Sequence, residues 1–242
     1  MMAPNSIMLR RRSFLVAVAA VLGALGGIEL SGRSSPPSRK PNPADDVPAS
    51  GAVSNRVLVA YFSRAGENYF YGGRRNLDVG NTEVLAGMIS GFLGCDVYRI
   101  EAAEPYSEDY EETVERNVQE QNADARPAVA NPLPSIDQYD TVLLGSPIWN
   151  VRAPMMMSTF TESLDFTLKT VHPFTTCAMS GLGTTERDYA RSCPGATIGN
   201  GLAVRGEEVG DAGAAVESWL RDTGCCEAPP SSCRFESARR PA

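Results

Sequence analysis

The sequence predicts an α/β fold, a parallel sheet with helices on both of its faces. Three observations carry that expectation. Five short runs read as buried strands: RVLVAYF (56–62), CDVYRIE (95–101), DTVLLG (140–145), TVHPFTT (170–176) and ATIGNGLAV (196–204). The segments between them have helical period, and strands alternating with helices imply parallel pairing. Hydrophobic residues make up 43% of the 242, enough for a packed core, and no repeat of fixed period suggests a solenoid or fibre.

Taken in order, the chain opens on a segment that is not part of that domain. Arg10, Arg11 and Arg12 precede an Ala/Gly-rich apolar run from Phe14 to Ile28. Arg11, Arg12, Phe14 and Leu15 resemble a twin-arginine export signal, and the run is short for a membrane span. The resemblance implies a periplasmic or extracellular destination, with membrane contact only through the signal, and an uncleaved anchor is the alternative. Residues 1–30 are therefore read as a signal, 31–54 as a Pro/Ser-rich linker, 55–224 as the folded domain, and 225–242 as a Cys/Pro/Ser tail.

Within the domain, Val84, Leu85, Met88, Ile89, Phe92 and Leu93 form one helical stripe. Tyr110, Val114 and Val118 form a second on an acidic segment, with Ser107 as its expected N-cap. Pro154 suits the first turn of a third helix, whose Met155–Met157 run reads as core filling. Two more helices are expected over 186–192 and 211–223. Ligands of such folds bind beyond the carboxyl ends of the strands, which directs attention to the loops after Phe62, Gly145 and Thr176.

Those loops are distinctive. After Phe62 come Ser63, Arg64 and Ala65, and Gly80, Asn81 and Thr82 then lead into the first helix; hydroxyls, a glycine and a helix N-terminus suit a phosphate monoester. The second loop, SPIWNVRAP, holds Trp149, one of two tryptophans. The third, CAMSGLGTT, offers Gly181 and Gly183 for close backbone approach to a flat ligand. Bland readings stand beside these, with Trp149 as a hydrophobic plug and the glycines as turn residues.

With these three loops in this order, the chain from about Arg56 to Leu220 resembles the flavodoxin family, and in particular members with YFSRxGNT, GxPIWW and GSGLG loops. The resemblance implies a flavodoxin-like three-layer sandwich, a five-stranded parallel sheet of order 2-1-3-4-5, one FMN and a role in moving electrons. It further implies that Ser63, Arg64, Asn81 and Thr82 hold the phosphate. Pro147, Ile148 and Trp149 would line the isoalloxazine ring, with Ser180, Gly181 and Gly183 closing its other side. Asn150 departs from the pattern, standing where relatives often carry a second tryptophan.

The second departure is the stretch GENYFYGGRRNLDV, Gly66 to Val79, which divides the phosphate loop. Its aromatic residues (Tyr69, Phe70, Tyr71) and its cations (Arg74, Arg75) suggest a cover for the cleft, hinged at Gly72 and Gly73. An ordinary solvated loop is the alternative.

Charge narrows the partners. Residues 54–224 hold 13 Lys/Arg and 24 Asp/Glu, a net of −11, which argues against nucleic acid and for a basic redox-partner protein. His172, the single histidine, falls inside an expected buried strand and reads as structural. It leaves no familiar metal-ligand set and no catalytic triad. Export would permit disulfides: Cys95 reads as a buried strand residue, Cys177 and Cys193 as a possible bridge behind the third loop, and a pair among Cys225, Cys226 and Cys233 as another. No nicotinamide-binding motif is present. Three functional classes stay open: an electron carrier, an FMN enzyme reducing a quinone-type acceptor, and a flavin-free binding module on the same fold.

Overall fold

The structure, a computed structural model, describes residues 56–226. The expected signal, the linker and Cys233 lie outside the described residues. Strands β1 (Val57–Tyr61), β2 (Gly66–Phe70), β3 (Gly73–Leu77), β4 (Asp96–Arg99), β5 (Thr141–Pro147), β6 (Thr170–Cys177), β7 (Thr197–Ile198) and β8 (Leu202–Arg205) accompany five helices. These are α1 (Asn81–Leu93), α2 (Tyr110–Asn122), α3 (Met155–Glu162), α4 (Thr185–Ser192) and α5 (Gly213–Asp222), the last preceded by a 3-10 turn, Gly206–Asp211. Among the described residues no helix is long and apolar enough to cross a membrane.

The main sheet runs β4-β1-β5-β6-β7, all parallel, and β8 also pairs with β6. With the β2–β3 pair set aside, this is the expected 2-1-3-4-5 order. The fifth position differs from the single expected strand: β7 pairs with Thr170 and Val171, and β8 with Phe174 through Cys177. Pro173, which has no N–H to donate, falls in the gap between the two registers. Inside that gap the carbonyl of Asn200 accepts from Trp219 Nε1 at 3.0 Å and lies 3.1 Å from His172 Nδ1. A side chain at Gly199 would come within 2.3 Å of the imidazole, so His172 is walled in. Burial also lowers its pKa. Its role is structural.

Successive residues of β1 enter different halves of the core, as a pleated strand covered on both faces requires. Leu58, Ala60 and Phe62 join Val142, Leu144, Met156, Met157 and Phe160. Val57, Val59 and Tyr61 join Leu85, Ile89, Phe174, Val216 and Leu220. Met155, Met156 and Met157 are buried, as core filling demands.

Three local expectations are corrected. Helix α2 is capped by Asp109, whose carboxylate accepts from the Glu112 amide at 2.9 Å, while Ser107, two residues earlier, accepts from the Asp109 amide. The Cys177–Cys193 bridge does not form and both are free thiols. Cys193 lies in the half of the core with Tyr189 and Phe160, whereas Cys177 Sγ turns to the Val204 carbonyl in the other half. Cys95 is only half-buried beside β4, where it packs against the same half of the core as Cys225 and Cys226, both also free thiols.

Candidate functional site

The carboxyl ends of β1, β5 and β6 open onto a cleft of about 570 Å³. At one end, Gly80 is the N-cap of α1, and the Ser63 hydroxyl, from the loop after β1, accepts the Glu83 amide at 3.1 Å. The insertion thus leaves a single loop in space. A Cβ on Gly80 would stand 2.3 Å from Ser63 Oγ and 2.4 Å from the Arg64 carbonyl, so glycine is required where the two halves meet. Asn81 packs against Gly206, where a Cβ would come 2.5 Å from its Nδ2, and Thr82 shares a 2.7 Å hydroxyl hydrogen bond with Thr176 of β6. Ser63, Arg64, Asn81, Thr82 and Thr176 all line the cleft, at the positive end of the α1 dipole. Glu83, the one acid in that turn, is paired with Arg99 at 2.7 Å.

Arg64 is placed differently from a freely reaching phosphate ligand. Its terminal nitrogens donate to the carbonyls of Ser107 at 2.7 Å, Glu108 at 3.1 Å and Glu67, tying the loop to the start of α2 and to β2. Burial lowers its pKa, the charge being partly desolvated. Its Nε is buried and without a hydrogen-bond partner among the described residues.

At the other end Pro147, Ile148, Trp149, Asn150 and Ser180 line the cleft. The Trp149 ring meets Phe62 at 5.6 Å and Tyr106 at 4.9 Å, both edge-on, so it is braced from behind while it faces the cleft. Tyr106 is held in turn by a 2.7 Å hydrogen bond to Glu120, which Arg116 also reaches at 2.7 Å. The second and third loops are knitted together: Ser180 Oγ donates to the Asn150 carbonyl at 3.2 Å, and the Thr184 amide to that of Val151 at 2.9 Å. Gly183 permits this. Its φ is +55°, and a Cβ there would stand 2.3 Å from the Val151 carbonyl oxygen. Gly181 and Gly183 therefore shape the loop from behind and, like Ala65 and Gly80, are not among the residues lining the cleft.

The side walls escaped sequence reasoning. Tyr110, Val114 and Val118, read only as a stripe of helical period, turn into the cleft, and the valines stay 37% and 45% exposed. Helix α2 instead buries Thr113, Asn117 and Glu120, each with a partner: Ser107 carbonyl, Gln121 and Tyr106. A further wall, packed beside α2, is the insertion itself, an antiparallel hairpin of β2 and β3 that contributes Asn68 and Tyr69. Arg74 and Arg75 do not approach the phosphate end. Arg74 lies over the Tyr110 ring at 3.6 Å and pairs with Glu111 at 3.1 Å, while Arg75 covers Phe70. Glu207, which no spacing or motif marks, completes the lining beside Cys177. Among the described residues no three His, Cys, Asp or Glu side chains cluster as a metal site would need.

Compared with known families, residues 56–222 match the family described as Flavodoxin. The chain belongs to the flavodoxin family. A solved candidate flavoprotein of Bacteroides uniformis is similar to it at 30% identity and TM-score 0.56, over 69% of this chain and 98% of its own. One from Bacteroides eggerthii is similar at 28% and 0.55, over 70% and 98%. A Lactobacillus acidophilus flavoprotein solved in complex with FMN stands at 16% and 0.47, over 66% and 99%. No curated protein matches the chain significantly. FMN is the cofactor that membership in the flavodoxins brings, and two buried orphan atoms test the fit. The Arg64 Nε–H is a donor suited to phosphate oxygen, and Glu207 Oε2 makes no hydrogen bond among the described residues, although Arg205 Nε lies 3.8 Å from it. The residues present fit the group.

Proposed function

We propose that this flavodoxin is an exported, FMN-dependent electron carrier that docks a basic protein partner. The observation that carries the FMN reading is the cradle itself: an α1 N-terminus, the hydroxyl of Ser63, the side chain of Asn81 and the unpartnered Arg64 Nε converge at one end of a cleft whose other end is walled by Trp149. FMN supplies the redox chemistry when bound, and the chain's part is to bind, orient and shield it. Ser63, Arg64, Asn81 and Thr82 would hold the phosphate, and Pro147, Ile148, Trp149 and Ser180 the ring.

The carrier reading rests on exposed residues of the elements that wall the cleft. Exposed acids Glu111, Glu112 and Glu115 lie along α2, while the apolar Met179, 84% exposed, and Val151 stand at the loop ends. Exposed acids on α2 suit a basic partner, steering its approach, while exposed apolar residues of the loops offer contacts that bring it close. The alternative is a quinone-type reductase, which the wide apolar side wall of Tyr110, Val114 and Val118 favours.

The absorbance spectrum of protein from an export-competent host tests the cofactor: a bound flavin spectrum that Asn81→Ala weakens by about 1.5–3 kcal/mol of affinity is expected. Steady oxidation of NADPH or NADH with a small quinone and no partner protein would instead establish the reductase. For export, Arg11→Lys with Arg12→Lys is expected to retain a flavin-loaded precursor in the cell, and unchanged export refutes the signal.

A further inference from the structure

Two helices that pack on each other end in the same way. Helix α1 stops at Gly94, and α5 stops at Thr223 with Gly224 just beyond; both glycines are left-handed, with φ of 59° and 74°. A cysteine follows each glycine directly, Cys95 in the first case and Cys225 in the second. The Gly94 amide donates to the Ser90 carbonyl at 2.8 Å. At α5 the Gly224 amide donates to the Arg221 carbonyl and the Cys225 amide to that of Leu220, both at 3.0 Å. This pair of bonds folds the residue after the glycine back over the last turn of the helix. Cys95 and Cys225 accordingly pack, both half-buried, against the half of the core that holds Ile89 of α1 and Leu220 of α5. Burial raises the pKa of both thiols, and the neighbouring Cys225 charge raises that of Cys95 further.

The pair stands apart from the cleft. Cys95 precedes β4, which runs parallel to β1, so the two thiols lie at the amino ends of the strands while the cleft opens at their carboxyl ends. Other uses of these cysteines fit less well. Cys225 and Cys226 are chain neighbours, whose α carbons stand about 3.8 Å apart, short of the roughly 4.4–6.8 Å that a disulfide spans. Cys177 and Cys193 pack into opposite halves of the core. Among the described residues no three thiols, imidazoles or carboxylates gather as a metal would need.

We propose that Cys95 and Cys225 are a disulfide site, and that closing it staples the end of α5, where the tail departs, to the corner between α1 and β4. The structure holds both in the reduced form. The oxidant is an exchangeable disulfide. One protein thiolate attacks it and releases one of its thiols, and the second thiolate then resolves the mixed disulfide and releases the other. Two protein S–H bonds and one S–S bond of the oxidant become one protein S–S bond and two S–H bonds of the reduced oxidant. The cross-link encloses most of the described domain, from residue 95 to residue 225, so it restricts the unfolded chain far more than the folded one. The proposal does not depend on the cofactor.

The test is peptide mapping without reduction, on the full chain purified reduced and then incubated with oxidised glutathione. The peptide that carries Cys95 is expected to be joined to the one that carries Cys225, in the parent and in Cys226→Ser but not in Cys225→Ser. Reducing the oxidised parent with a dithiol should lower its thermal midpoint by about 5–15 °C. The midpoint of Cys95→Ser, taken through the same two treatments, should not respond. An oxidised parent in which Cys95 is still alkylated as a free thiol overturns the proposal, and so does a linkage that survives Cys225→Ser. A linkage whose reduction leaves the midpoint unmoved overturns the staple.

Discussion

At the scale of single residues, the site is made of side chains that work in two directions. Trp149 faces the cleft and also closes an edge-on cluster with Phe62 and Tyr106. The sequence posed ring wall and hydrophobic plug as alternatives, and the geometry gives the same side chain both surroundings. Trp149→Ala is accordingly expected to weaken FMN binding by about 1–3 kcal/mol, on the scale of aromatic–base stacking. It should also destabilise the flavin-free protein by about 1–3 kcal/mol through two lost aromatic pairs. Flavin titration and urea unfolding of the same variant separate the effects; lost stability with intact affinity would leave Trp149 a packing residue alone. Arg64 shows the same doubling, since three backbone carbonyls fix its guanidinium and leave only Nε over. Its identity was legible in the sequence. Which of its nitrogens stays free was not, because carbonyls of residues 43 and 44 positions away decide it.

At the scale of elements, the hairpin is the feature that the sequence located but misread in form. Its strands pair Gly66 with Leu77 through Phe70 with Gly73, leaving Tyr71 and Gly72 as a two-residue turn with φ of 45° and 86°. Two positive φ values make a tight hairpin turn, normally announced by Asn-Gly or Asp-Gly, and Tyr-Gly does not announce it. Gly72 therefore belongs to the turn and Gly73 to β3, and the pair is not a hinge. The strands form a separate two-stranded sheet, strapped to α2 by Arg74 on Tyr110 and Glu111 and to the 3-10 turn by Tyr71 on Glu207. Its two ends already meet, because Gly80 touches Ser63 and Arg64. Deleting Gly66 to Val79 is thus expected to leave a folded domain that releases FMN about tenfold faster, the equivalent of one charged hydrogen bond. Stopped-flow release measures it, and an unchanged rate would mean the hairpin covers nothing.

At the scale of the whole molecule, the buried thiols and phenols set a direction for pH dependence. Burial raises the pKa of Cys95, Cys177, Cys225, Tyr106 and Tyr189, and carries Cys193 up to about 12. These acids are neutral in the fold, whereas the unfolded chain ionises its thiols near about 8.5 and its phenols near about 10. Their contribution to stability is whole below the unfolded values and is lost as pH rises towards the folded ones. The thermal midpoint is expected to hold from about pH 7 to 8.5 and to fall steadily above, with Cys193→Val softening the fall between about pH 9 and 12. A midpoint flat to pH 11 would sink this. By itself the sequence located the strands of the main sheet and the three loops that meet at the cleft, because doubly buried strands and glycine-bounded loops are encoded in residues close together in the chain, whereas the strand order followed only from the resemblance to the flavodoxin family. The tertiary structure alone decided the rest. Helix α2 could turn Val114 and Val118 to the cleft only because Thr113, Asn117 and Glu120 found polar partners inside, Glu120 among them through Tyr106, which precedes the helix. Glu207 gained its place from a hairpin tip 136 positions away, a contact that no local pattern can carry.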